Sequence, residues 1–211
     1  MSDLLVSLTS AAGIKIDNTG LDGINQWPTI NAGIVTTRDE VLYNIDTIFG
    51  FSALSYRGMK IVNGTLADGI YDDWLGDPGN NGTSDDPEYY AKTVLESLAG
   101  TAIQTSRRKI QQLTVSKITR LRKSATVKCD YTTPRILCNL KIAPCLYDII
   151  NDPCELTNLA DILPLKMKFM KKRLDKWITK VVPTRRKPAD PECNPINFNG
   201  NWNWWQPDSS F

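Results

Sequence analysis

Five cysteines, Cys129, Cys138, Cys145, Cys154 and Cys193, are the residues whose types and spacing could do chemistry. The first four fall as C-x8-C-x6-C-x8-C. A zinc site would need two ligands about two to four residues apart, and no such pair exists. Two local disulfides, Cys129–Cys138 and Cys145–Cys154, suit the spacing better. Each loop holds a proline and turn-forming residues that bring its ends together, and a loop of this length contributes roughly 2.5–3 kcal/mol in the chain-entropy account. Four cysteines still admit three pairings, and five unpaired thiols in a reducing compartment are the plain alternative. Asn63 and Asn81 each open an Asn-Gly-Thr glycosylation sequon in loop-like surroundings. Sequons together with paired cysteines favour an oxidising, secretory compartment.

The chain's 211 residues contain no histidine. Every mechanism that needs a histidine base, nucleophile or metal ligand from this chain is thereby excluded. A net charge of +2 is too small to argue for a nucleic-acid or acidic partner from the total alone. No apolar run approaches the roughly 20 residues of a membrane helix. The first thirteen residues make no signal peptide, lacking a basic start and carrying Asp3. With secretory features and no leader, the chain is expected to be the end of a longer one.

Other groupings are weaker. Residues 107–128 hold eight basic residues and no acid. Such a stripe could meet a sulfated glycan or nucleic acid, but a solvated helix face is the commoner meaning, and no aromatics interleave it for base stacking. Asp72, Asp73, Asp85, Asp86 and Glu88 miss the regular alternation of a calcium loop. Trp202, Trp204 and Trp205 could stack on sugar rings, though clustered tryptophans more often plug an apolar groove.

The elements that must position these residues follow from periodicity. Leu4, Leu5, Leu8, Ala11 and Ala12 predict a short amphipathic helix over 3–12, capped by Ser2 or Asp3. Residues 14–39 read as loop. A strand is expected at 41–46 and a hairpin at 53–56 and 59–62 around Arg57 and Gly58. Residues 63–88 form a long surface loop rich in Gly, Asp and Asn. Residues 88–98 and 105–125 look helical, and 147–150 is a short strand. The clearest element is 165–182, where Leu165, Phe169, Met170, Leu174, Trp177, Ile178, Val181 and Val182 make an apolar stripe between lysines. Pro164 begins it and Pro183 stops it. Its stripe needs a partner, which a small antiparallel sheet with one dry face would supply.

Six stretches, in order, resemble the C-terminal part of type-B-like arylsulfatases, the N-acetylgalactosamine-4-sulfatase relatives. Ser2–Leu8 (SDLLVSL) resembles the family's Ser-Asp-Trp-Leu-Pro-Thr-Leu helix, and Leu21–Trp27 (LDGINQW) its Leu-Asp-Gly turn. Arg38–Asp46 (RDEVLYNID) and Ala53–Ile61 (ALSYRGMKI) are similar to its strand and hairpin. Ala143–Asp148 (APCLYD) with Asp152–Glu155 (DPCE), Asn158 and Leu159 is the most specific match, and Val182, Pro183 and Pro188–Pro191 close the series.

The resemblance implies an α/β, alkaline-phosphatase/sulfatase-like protein. Here it would be mainly the α+β C-terminal subdomain, a sheet of about four strands on a long amphipathic helix. Residues 1–39 would end the N-terminal catalytic domain, 40–182 would be the C-terminal subdomain, and 183–211 a Pro/Trp-rich tail packing back on the catalytic domain. The implied function is to support hydrolysis of sulfate esters of sugars or aryl compounds in a lysosomal or extracellular enzyme.

The family's formylglycine nucleophile and calcium ligands lie upstream of the first helix, so the resemblance implies no catalytic residue, no metal ligand and no bound cofactor here. Cys193 with Pro195 echoes the nucleophile motif Cys-x-Pro-x-Arg, but Asn197 stands where Arg is required. In the family a tail cysteine can bridge to the catalytic domain, a role that Cys193 could take. The expected partners are the catalytic domain and, in an alternative reading as a catalytically dead secreted module, a sulfated glycan bound by the 107–128 stripe; neither nucleic acid nor a membrane span is expected.

Overall fold

A computed structural model of the chain describes residues 2–16, 20–70, 72, 86–105, 113–130, 132, 135–184 and 191–202. Asn81, Asp73, Asp85, Trp204, Trp205 and residues 107–112 of the basic stripe lie outside the described residues.

Four antiparallel strands stand side by side in chain order: β1 (Glu40–Asp46), β2 (Phe51–Tyr56), β3 (Met59–Asn63) and β4 (Cys145–Asp148). Arg57 and Gly58 both take positive φ, 46° and 81°. That is the primed turn whose twist matches a two-residue hairpin. Leu42 pairs with Leu54 but Asn44 pairs with Ala53, so Tyr43 is an extra residue in β1. This bulge returns Ile45 to the same face as Leu42, which a strict alternation would not do.

The dry face is a row across three strands. Leu54 pairs with Ile61 and Ile61 with Leu146. All three are fully buried, under Met170 and Leu174 of the long helix α6 (Pro164–Ile178). Burying side chains of this size contributes about 1.5–3 kcal/mol each, which makes this row the main hydrophobic term of the fold. The expected architecture, a four-stranded sheet on a long helix, is therefore present, with helices outside it. Element ends shift by one to four residues, most instructively in α6 and in the last strand. The helix stops at Ile178, five residues before Pro183. The last strand begins at Cys145 rather than 147 and ends at Asp148, because the Asp148 carboxylate accepts from the Ile150 and Asn151 amides and turns the chain.

The disulfides correct the sequential pairing. Cys129 joins Cys154, and Cys138 joins Cys145, one loop nested in the other. Cys145 opens β4, whereas Glu155 is anchored on Lys60, which lies opposite Tyr147 in the ladder. The strand thus carries the chain two residues, about 7 Å, from Cys145 before the Cys154 turn comes alongside. The bridges observed have Cα separations of 5.7 and 5.8 Å, within the range a disulfide tolerates.

Outside the sheet, α1 (Asp3–Ala11) packs on α2 (Trp27–Ala32), and α3 (Pro87–Glu96) contacts α4 (Leu98–Thr105) and α5 (Val115–Ala125). Helix α2 lies within the stretch expected to be loop; Pro28 in its first turn and Gly33 just past its end are the signals that mark it. Of the helix expected over 105–125, the described residues form α5 from Val115, and α4 runs from the end of the helix expected at 88–98 to Thr105. Neither proposed cap holds α1: Ser2 makes no side-chain cap bond, and the Asp3 carboxylate is directed to Arg38 and the Ile24 amide. Gly23 sits where an added Cβ would lie 2.3 Å from the Ser2 carbonyl oxygen, so only glycine lets this turn meet the start of α1.

Candidate functional site

The polar groups that converge in this fold do so where α1, α2, β1 and the end of α6 meet around a cleft of about 560 Å³. Arg38 is its hub. Nε donates to Asp3 at 2.8 Å, and Nη2 donates to the other Asp3 oxygen and to the Asp22 carbonyl at 3.0 Å. Nη1 donates to the Glu40 carbonyl at 3.1 Å. The guanidinium is thus consumed as a strut joining the N-terminal helices to the sheet edge. Glu40 makes a second hub: it accepts from Arg173 Nε at 2.5 Å and from Trp177 Nε1 at 2.8 Å. Arg173 also stacks 3.6 Å over the Tyr56 ring. A residue pair 133 positions apart thereby clamps β1 to α6.

The electrostatics favour structure over acid–base chemistry. Partial burial pushes the Asp3 carboxyl up, but hydrogen bonds from Arg38, Ile24 and Gln26 and the Arg38 charge outweigh it and hold the group below the usual carboxylate range. Asn151 hydrogen bonds do the same to Asp148. Glu88, beside Lys92, raises that ammonium. All three shifts favour the charged form, the reverse of what makes a carboxyl a general acid or a lysine a base.

The remaining sequence-derived positions are dispersed. Asp86 caps α3 by accepting from the Glu88 amide at 2.9 Å, Glu88 pairs with Lys92, and Asp72 accepts from Thr65. Among the described residues, no three His, Cys, Asp or Glu side chains come together where a metal ion could sit. Asn63 ends β3, half-buried, opposite Ser52. Cys193 is a free, half-buried thiol in the short 3-10 turn Pro191–Cys193. Trp202 is 84% exposed. Of the 107–128 stripe, Lys117, Arg120, Arg122 and Lys123 lie on α5, where Arg122 stacks 4.0 Å over Tyr90.

What the cleft borders is apolar and uncovered. Leu4, Leu5 and Leu8 on α1, Ile30 on α2, and Ile34 and Val35 beyond it are each more than half exposed. Among the described residues, thirty-three large hydrophobics are exposed, against ten buried hydrophobic residues. A patch of this kind marks a contact surface. The sequence held the apolar residues of α1 in plain view. It did not disclose the Arg38 and Glu40 hubs, because Arg38, Asp39 and Glu40 in succession read equally well as surface charge.

No protein-family model matches the chain. It is 26% identical to mouse (Mus musculus) arylsulfatase J across an alignment of 211 positions that takes in 97% of this chain and 30% of that protein. The chain thus spans less than a third of that protein's length. At this distance the similarity supports a relationship to the sulfatases and does not single out the type-B subgroup.

Proposed function

We propose that this chain is a non-catalytic part of a sulfatase, corresponding to the family's C-terminal subdomain, whose role is to dock on a catalytic domain and complete it. The observation that carries the reading is the similarity to arylsulfatase J, which covers nearly all of this chain and only 30% of that protein. The uncovered apolar face of α1 and α2 supports it, since Leu4, Leu5 and Leu8 gain by burial against a partner at about 25 cal/mol per Å² of apolar surface. The complete protein would hydrolyse sulfate esters of sugars or aryl compounds, with residues 1–39 and the tail from 183 facing the catalytic domain and Cys193 available for a bridge to it. The two disulfides support an oxidising, secretory setting, lysosomal or extracellular.

Two measurements test this. Incubation of the purified chain with an aryl sulfate should release no sulfate above buffer, and clear turnover would overturn the reading. Grafting the chain in place of the matching segment of mouse arylsulfatase J should give a folded, secreted chimera, and the pair Leu4→Asp and Leu8→Asp should abolish secretion. A chimera indifferent to both substitutions would count against docking through α1.

A further inference from the structure

The outward face of α6 carries cations for which the fold has no use. Met167, Met170, Leu174 and Trp177 pack toward the sheet. At 100° per residue, Lys168, Lys172 and Lys176 then share the opposite side of the helix. Their i, i+4, i+8 spacing sets them in a line, about 6 Å apart and about 12 Å end to end. All three are exposed, as are Lys166 toward the sheet side, Lys171 beside the row and Lys180 one turn past Lys176. None of the ion pairs among the described residues includes any of the six. Asp175 is the single acid on the helix. The contrast with Arg173 is sharp: it lies on the same helix but is held by Glu40. Like charges at i, i+4 weaken a helix by a few tenths of a kcal/mol per pair. The lysine row costs α6 stability and returns nothing to the core.

We propose that this lysine ridge is a binding site for a linear polyanion, specifically a sulfated glycan chain. A row of solvated point charges on flexible stems suits sulfates placed along a polymer without demanding the planar, two-pronged geometry for which arginine is preferred. At the end of the helix Lys180 lies 5.1 Å over the Trp177 ring and extends the row toward a half-buried aromatic surface. Nucleic acid is disfavoured because the two disulfides persist in compartments that lack it. A membrane surface is disfavoured because Met170 and Leu174 are buried against the sheet, which leaves only Leu165, Phe169 and Ile178 of α6 exposed, too few for a continuous inserting face. This inference does not rest on the sulfatase reading and stands if the chain has no catalytic partner.

The test is salt-dependent binding of the full chain to heparin, with circular dichroism to verify the fold of each variant. The triple variant Lys168→Gln, Lys172→Gln, Lys176→Gln should weaken binding roughly thirty-fold at fixed salt and lower the slope against log salt by about 2–3. The arginine triple at the same positions should bind within about twofold of the native chain, since charge alone is required. Lys117→Gln, Arg120→Gln, Lys123→Gln on α5 removes the same charge elsewhere and should leave binding within about threefold. Equal loss from the α5 and α6 triples, or no loss from the α6 triple, would overturn the ridge. Displacement of heparin by duplex DNA or phosphatidylserine vesicles at lower charge concentration than free heparin would overturn the choice of glycan; weaker competition supports it.

Discussion

Leu54 and Leu5 are the same residue in opposite circumstances. One is wholly enclosed between β3 and α6; the other, on α1, is 56% exposed. The sheet with α6 satisfies itself, because its apolar row, its Glu40 clamp and its two disulfides all close within the chain. The N-terminal helices are tied on by Arg38 and Asp3 yet leave their leucines bare. The difference teaches that polar contacts have fixed where α1 sits without covering it, as expected of an element whose other side belongs to a second body.

The comparison breaks most visibly at the two leucines themselves. Leu54→Ala removes a fully buried side chain and should cost about 3–5 kcal/mol in urea unfolding, while Leu5→Ala should change stability by less than about 0.5 kcal/mol. A large loss at Leu5 would mean that α1 is already covered. The nested bridges should rank by loop length. Converting Cys129 and Cys154 to serine opens a separation of 25 residues and should cost about 3.5 kcal/mol. The same change at Cys138 and Cys145, seven apart, should cost about 2.4 kcal/mol. Non-reducing peptide mapping would check the pairing directly.

Smaller effects sharpen the contrast at its seam. Glu40→Gln leaves Arg173 without its carboxylate and should cost about 1–2 kcal/mol, measured in the same denaturant series. Asp3, held below its ordinary range, contributes stability above the unfolded carboxyl value of about 4, and that contribution is lost as pH falls through the lower folded value. The stability difference between the native chain and Asp3→Asn should therefore be present at pH 6 and shrink progressively as pH falls below about 4. A difference that persisted at low pH would show that charge is not what Asp3 supplies.

Local signals disclosed the self-contained half of this molecule better than the open half. The hairpin was legible because Arg57 and Gly58 sit between alternating apolar runs, and α6 because its stripe repeats over four turns. The pairing of Cys129 with Cys154 was not, since it depends on how far β4 carries the chain before it turns, a tertiary quantity. Helix α2 hid in a turn-rich stretch because six residues give too little periodicity to stand out. Among the candidate site residues, the exposed leucines were evident, but their meaning depended on the α2 region and Arg38 reaching α1 from 15 to 35 positions away.

Hydrogen exchange of the 211-residue chain followed residue by residue tests the central claim most directly. The account predicts that amides of β2, β3 and α6 exchange only through global unfolding, while those of α1 open locally and exchange at least about a hundredfold faster. Protection of α1 equal to that of the sheet would contradict it, because α1 would then belong to a closed body and would have no side left for a partner to cover.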